Sequence, residues 1–251
     1  MRKLIAAITV AAATLVAGQA IAADMPYYPP VIEIPDVDYG VEGSFYLRGS
    51  VAGNALWSRE NQYFCPSGPD CGTGTIFKEA STHLGYGYSA GLGFGYETGT
   101  GLRADLTVDY LSNEGAAYRG RVVNGNQLNL RSTIALANVY YDFGLANYGS
   151  SIGGGFGAYV GAGLGGAYNW IESRGPFTGY DPDGGSWSPA GALMTGVTYD
   201  MGSIVADLGY RMIYMPQFTN GTFAQGTPQG PYYLNDNLIH EVRGTVRYRF
   251  N

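Results

Sequence analysis

The segment Leu238 to Phe250 constrains this chain more than any other. One parity reads Leu238, His240, Val242, Gly244, Val246, Tyr248 and Phe250. The other reads Ile239, Glu241, Arg243, Thr245, Arg247 and Arg249. Period-two alternation over this length predicts a β-strand with one apolar face and one charged face. A soluble sandwich turns the apolar face inward, whereas a membrane-spanning barrel turns it to lipid and keeps charge in the lumen. Length separates the two, because soluble strands average about 5–6 residues and a tilted membrane strand needs about 9–11.

Seven earlier segments alternate in the same way, near residues 43–54, 84–97, 102–110, 128–143, 156–170, 186–199 and 204–214. The clearest sets Leu102, Ala104, Leu106, Val108 and Tyr110 against Arg103, Asp105, Thr107 and Asp109. Between them, shorter connections fall at 98–101, 144–155 and 200–203, and long polar ones at 55–83, 111–127, 171–185 and 215–237. Short turns on one side and long loops on the other predict an all-β fold. The expected form is an eight-stranded antiparallel up-and-down transmembrane β-barrel with short periplasmic turns and four long extracellular loops. The 22 Tyr of the 251 residues, many near strand ends, supply the aromatic girdles such a barrel needs. The longest uncharged run, Phe143 to Ile171, is too rich in Gly to be a spanning helix.

The start of the chain reads as an export signal. Arg2 and Lys3 precede an uncharged, mostly apolar run, and Ala20-Ile21-Ala22 offers a cleavage site, which places a signal peptide at 1–22. Residues 23–42, with Pro26, Pro29, Pro30 and Pro35 among acidic residues, read as an extended periplasmic tail ahead of a barrel at 43–251. Losing Arg2 and Lys3 leaves twelve basic residues against twenty acidic ones, a net charge of −8. An acidic chain without a basic patch argues against nucleic acid as a partner. Cys65 and Cys71, the only cysteines, lie in a Gly-, Pro- and Asp-rich segment, where an oxidising compartment favours a small disulfide loop.

Four stretches carry a family resemblance: Phe45-Tyr46-Leu47-Arg48-Gly49, Tyr159-Val160-Gly161-Ala162-Gly163-Leu164-Gly165, Leu208-Gly209-Tyr210-Arg211 and Val246-Arg247-Tyr248-Arg249-Phe250. With their spacing they cover the mature chain, which resembles the small outer-membrane barrel surface proteins related to the OmpA transmembrane domain and OmpX. The resemblance implies a location in the bacterial outer membrane among its lipid and lipopolysaccharide. It makes Tyr248 and Phe250 a signal for the outer-membrane assembly machinery, although Asn251 stands where the terminal aromatic is usual. It does not extend to a peptidoglycan-binding domain.

An eight-stranded barrel is just wide enough for its side chains to fill it. The inward parity places Arg48, Arg103, Asp105, Asp109, Asp207, Arg211, Glu241, Arg243, Arg247 and Arg249 in the lumen. These charges are expected to pair across it, with Arg211 and Glu241 toward the loop end and Asp207 and Arg247 deeper. A plug of ion pairs is the favoured reading and a conducting pore the alternative.

No catalytic, cofactor or metal site is predicted. Gly161 to Gly166 matches G-x-G-x-x-G but lacks the following helix of a dinucleotide site. Lipid A deacylases and acyltransferases share this architecture, but His83 and His240 are the only histidines and neither begins an H-x-S pair. Aromatic and apolar residues in or beside the loops (Tyr63, Phe64, Ile76, Phe77, Phe177, Tyr180, Trp187, Phe218, Phe223, Tyr232 and Tyr233) are girdle residues or a contact surface. The chain therefore reads as a structural surface protein supporting envelope integrity. Alternatives are a ligand-binding surface protein (an adhesin or haem binder, with His83 and loop tyrosines as haem ligands), then a small pore, then a lipid-modifying enzyme.

Overall fold

Backbone pairing closes this chain on itself. The computed structural model describes residues 43–65, 75–119, 124–144, 155–174, 183–220 and 232–250. They form β1 (Ser44–Cys65), β2 (Thr75–His83), β3 (Gly85–Glu97), β4 (Leu102–Arg119), β5 (Asn124–Gly144), β6 (Gly155–Arg174), β7 (Gly184–Asp200), β8 (Ile204–Thr219) and β9 (Tyr232–Phe250). All neighbours are antiparallel, and β1 pairs with β9 from Phe45↔Phe250 up to Tyr63↔Tyr232. Strands β2 and β3 form one stave interrupted at Leu84, since both lie between β1 and β4. The result is a closed eight-stave barrel with no described helix.

Two short turns have the geometry that glycine permits. Gly99 and Gly101 take φ +73° and +95° between β3 and β4, and Gly202 takes +87° between β7 and β8. The second turn is held by Met201 N donating to Ile204 O at 2.9 Å and Gly202 N donating to the Asp200 carboxylate at 2.8 Å.

The outer face carries an apolar band between two aromatic rings. Toward the turn end lie Phe45, Tyr96, Tyr141, Phe143, Phe156, Tyr199, Tyr248 and Phe250, all exposed. Toward the loop end lie Trp57, Tyr86, Tyr110, Tyr168, Trp170, Trp187 and Tyr214. Leu92, Leu106, Leu164, Leu193, Leu208 and Val242 fill the space between, and Leu164 is 75% exposed. Along β6 the twelve steps from Phe156 to Tyr168 rise about 30 Å at a tilt near 40°. That height matches a hydrocarbon core.

The strands outrun their sequence-predicted ends, a correction to the expected loops at 55–83, 111–127, 171–185 and 215–237. Much of each is paired strand: β1 continues to Cys65, β4 to Arg119, β6 to Arg174, β8 to Thr219 and β9 begins at Tyr232. Above the upper ring no lipid requires an apolar outer face, so alternation fades while backbone pairing goes on. The inward phase also slips there. In β4, inward Asn113 is followed by inward Ala116 across a bulge at Gly115, whose φ is +81°. Similar shifts carry β1 from Ser58 to Asn61, β8 from Met215 to Phe218 and β9 from Asn237 to Leu234. Phe218, expected in a loop, is consequently buried.

The wall is not uniform. The β7–β8 ladder ends at Gly191↔Tyr214, although β7 continues upward to Gly184 and β8 to Thr219. Pro189 and Pro216 stand just above that point, and proline offers no N–H to a ladder. At the top, Thr219 N donates to Ser186 Oγ at 3.1 Å across this seam. Amide hydrogen exchange should read it directly: Met215 to Phe218 are expected to include fast-exchanging amides, while β5 and β6 at the same height stay protected. Uniform protection on all four strands would remove the seam.

Candidate functional site

The turn-end half of the lumen is an ion network. Arg103 binds Asp142 through two hydrogen bonds of 2.8 and 3.1 Å, and its guanidinium stacks 3.9 Å from the Tyr140 ring centre. Arg48 donates to Asp105 at 2.8 Å and to the Tyr140 hydroxyl at 2.7 Å. Tyr46, fully buried, and Asn138 complete the Asp105 carboxylate at 2.9 and 2.7 Å. Arg247 grips Asp207 through two bonds of 3.1 Å, and Arg249 reaches Asp200 at 2.6 Å and touches Glu97.

At mid-height four charges form one cluster. Arg211 donates to Glu241 at 2.6 Å and to Asp109 at 2.7 Å. Arg243 donates to Asp109 at 2.8 Å, to Glu241 at 3.1 Å and to Ser50 at 2.7 Å. Ser89 supplies a further donor to Glu241 at 2.7 Å. All ten sequence-predicted lumen residues thus sit in one connected region. Arg211 and Glu241 lie at mid-height rather than near the loop end, because the strands continue above them.

Glycines on the inner face make the room. A Cβ at Gly91 would strike the Asp109 carboxylate, one at Gly95 the Tyr46 ring, and one at Gly196 or Gly209 the ring of Tyr159. The Gly-rich inward parity of β3 is therefore the mould of the network. Free space beside Arg48, Arg103, Tyr159, Asp207 and Arg211 amounts to about 10 Å³, enough for roughly one water.

Above the charges the lumen becomes apolar. Leu56, Leu111, Leu130, Ile213 and Ile239 are all buried, with Ile171, Met215, Phe218 and Leu234 higher still, while Ile134 and Leu136 lie beside the charge cluster as register partners of Asp109 and Thr107. Three pairs of polar groups bond among them, Asn113 to Asn54 at 2.7 Å, Ser58 to Asn237 at 2.6 Å and Ser132 to Asn169 at 2.7 Å, while the buried Asn61 side chain has no partner among the described residues. This layer was not foreseen from the sequence. In 134–139 both parities are largely apolar, so neither declares itself as inner. Above the membrane band, Lys78 pairs with Glu60 at 3.0 Å. The Gln62 amide and Lys78 hold that carboxyl below the ordinary glutamate range.

Of the other predicted residues, Tyr248 and Phe250 are exposed on the outer face and their rings meet edge-on at 5.3 Å. Trp187 is 77% exposed. His240 lies on the outer face beside the Tyr210 hydroxyl, which shares a hydrogen bond with its Nδ1. His83 is exposed at the end of β2. Cys71, the signal peptide at 1–22 and the tail at 23–42 fall outside the described residues, as do the side chains of Tyr63, Phe64, Cys65, Ile76, Phe77, Phe177, Tyr180, Phe223 and Tyr232. Among the described residues no three His, Cys, Asp or Glu side chains are grouped to hold a metal ion.

Removing one member of the mid-height cluster leaves unmatched charge in a confined place. Asp109→Ala is expected to cost about 3–5 kcal/mol of stability, read by urea unfolding of the barrel in lipid vesicles. The charge-balanced pair Asp109→Ala with Arg211→Met should cost less than the single change. If the double variant were the weaker of the two, repulsion between Arg211 and Arg243 would not be what the cluster resolves.

No family model matches the chain. A protein of Brucella abortus (strain 2308) is 30% identical over 276 aligned positions, covering 91% of this chain and 92% of the relative. Among solved structures, the outer-membrane protein OprG from Pseudomonas aeruginosa aligns with a TM-score of 0.50 and 15% identity, over 83% of this chain and 97% of that one. Neisserial surface protein A aligns at 0.48 and 21% identity, over 83% and 99%. The chain belongs with the Brucella protein to one family, and its fold is that of the small closed barrel represented by OprG.

Proposed function

We propose that the protein is a non-enzymatic structural barrel that supports the envelope and carries a folded surface above the outer leaflet. One observation bears most of this reading: the lumen is closed twice, by a charge-matched network below and by an apolar layer above. Each of the six lumen arginines has a carboxylate within 4 Å, and the apolar layer would dewet any water path that crossed it. Both layers oppose the pore reading. Against catalysis stands the surroundings of His240, which faces lipid beside a tyrosine rather than a serine or a water-filled cleft.

The presented surface consists of strands as much as loops. The paired segments of β1, β2, β4 and β9 above Trp57 carry the barrel wall beyond the upper aromatic ring. Contact with lipopolysaccharide and with an extracellular ligand belongs to this region. Export through the signal at 1–22, a Cys65–Cys71 bridge and reading of Tyr248 and Phe250 by the assembly machinery complete the proposal.

Planar-bilayer recording tests the seal. The wild-type barrel is expected to give no reproducible single-channel steps, and such steps would overturn the reading. Shortening the loop tips separates presentation from construction. Removal of residues 221–231 should leave the barrel's heat-dependent gel mobility intact. A loss of surface-ligand binding in that variant would favour the second reading, a binding protein.

A further inference from the structure

The lipid-facing wall holds one groove that the construction of the barrel does not explain. Its floor is β1 at Gly53 and Ala55, with Tyr86 of β3 on one bank and Val242 and His240 of β9 on the other. Tyr210 of β8 stands behind the β9 bank, and the groove, open on its outer side, measures about 460 Å³. A Cβ added at Gly53 would meet nothing within 4 Å, so the floor is truly open. Strands pack about 4.8 Å apart, so two banks separated by a single strand leave a trough about one hydrocarbon chain wide.

Polar chemistry lies on one bank. Ala55 and Met212 are the register partners of His240, which puts it one outward row below Trp57, Leu238 and Tyr214. At a 40° tilt that row lies about 5 Å deeper than the upper aromatic ring. Tyr210 and His240 Nδ1 share one hydrogen bond. If the hydroxyl donates, the ring proton sits on Nε2; if Nδ1 donates, the hydroxyl proton is left over. Either way the pair keeps one donor unspent at a depth where water is scarce, and a lipid's carbonyl or phosphate oxygen satisfies it.

We infer that this groove is a binding site for one acylated lipid of the outer leaflet, its chain lying over Gly53 and its polar oxygen on the Tyr210–His240 pair. A second copy of the barrel fits less well. A stable protein interface needs about 1,200 Å² or more, and a trough one strand wide between projecting Tyr86 and Val242 side chains does not offer a flat face of that size. The groove is also continuous with the lipid-facing band itself. This inference depends on the membrane placement of the barrel and is independent of whether the loops bind anything.

Native mass spectrometry of the full barrel, released from vesicles of dipalmitoylphosphatidylethanolamine and phosphatidylglycerol, tests it. The wild type is expected to retain one phospholipid per chain. Gly53→Leu, which fills the trough, should lower that occupancy by about fivefold, a 1 kcal/mol effect. Gly244→Leu is the control, because Gly244 also faces open space and lies outside the groove, and it should retain lipid as the wild type does. The double change Tyr210→Phe with His240→Phe keeps both rings on the bank but removes both donors, and a loss of about threefold is expected. Equal retention by wild type and Gly53→Leu overturns the site, as does a two-chain species that disappears in Gly53→Leu. Should the leucine variant not assemble, the comparison of the Tyr210→Phe, His240→Phe double variant with Gly244→Leu decides, and equal occupancy in that pair overturns the inference.

Discussion

Everything in this barrel depends on one constraint: in lipid, backbone N–H and C=O groups have no solvent partner and must pair with one another. A sheet meets that demand only by closing, and closure is made here by the long β1–β9 ladder from Phe45↔Phe250 upward. Closure then fixes the rest. With eight staves the interior has little width to spare, so every inward side chain must be matched in both volume and charge. The outer residues face hydrocarbon and carry no such requirement beyond being apolar.

The two lumen layers answer that matching problem in different ways. In the lower half long arginines reach across the bore, and the glycines opposite them yield the volume. Gly91 faces Asp109, and Gly196 and Gly209 lie beneath Tyr159. In the upper half branched aliphatic side chains fill the bore directly, and amide and hydroxyl pairs such as Asn54–Asn113 satisfy part of the polarity that remains, Asn61 being left without a partner among the described residues. The layers also support each other. A dry apolar layer keeps water from the mid-height cluster, which strengthens each Coulombic contact there. The acidic partners nearest the turn end are wetter: the Asp142 and Asp200 side chains are 27% and 30% exposed, whereas Asp105 and Glu241 are 0%.

How far the sequence announces this structure depends on height along the barrel. Inside the membrane band lipid and lumen make opposite demands on successive residues, so alternation is strict and Arg103, Asp105, Arg243 and Arg247 can be assigned inward by parity alone. Above the band the outer face meets water, and Ser58-Arg59-Glu60-Asn61-Gln62 is polar on both parities although it is paired strand. The phase slips in β1, β4, β8 and β9 complete the concealment, because a one-residue shift exchanges inner and outer sets. Phe218 is the clearest casualty: it reads as a loop aromatic and lies in the upper lumen. The acidic partners Glu97, Asp142 and Asp200 were hidden for a different reason, since they end strands, where a sequence gives no sign of which way they turn.

The seam between β7 and β8 and the groove over β1 now take on a common meaning. The rule that lipid-facing backbone must be paired applies only within the hydrocarbon, and the β7–β8 ladder ends at Tyr214, a residue of the upper aromatic ring. Prolines 189 and 216 therefore stand where lost hydrogen bonds can be met by headgroups and water, and deeper they would not be tolerated. His240 obeys the same boundary from the other side. One row below that ring, with its Nδ1 engaged by Tyr210, it sits where a lipid's polar oxygen can still reach its unspent donor. The outer surface of this barrel is thus graded by hydrogen-bond supply: the prolines and His240 stand at or just below the upper ring, where lipid oxygen atoms are within reach, and Thr195, deeper, spends its hydroxyl on the Tyr159 carbonyl.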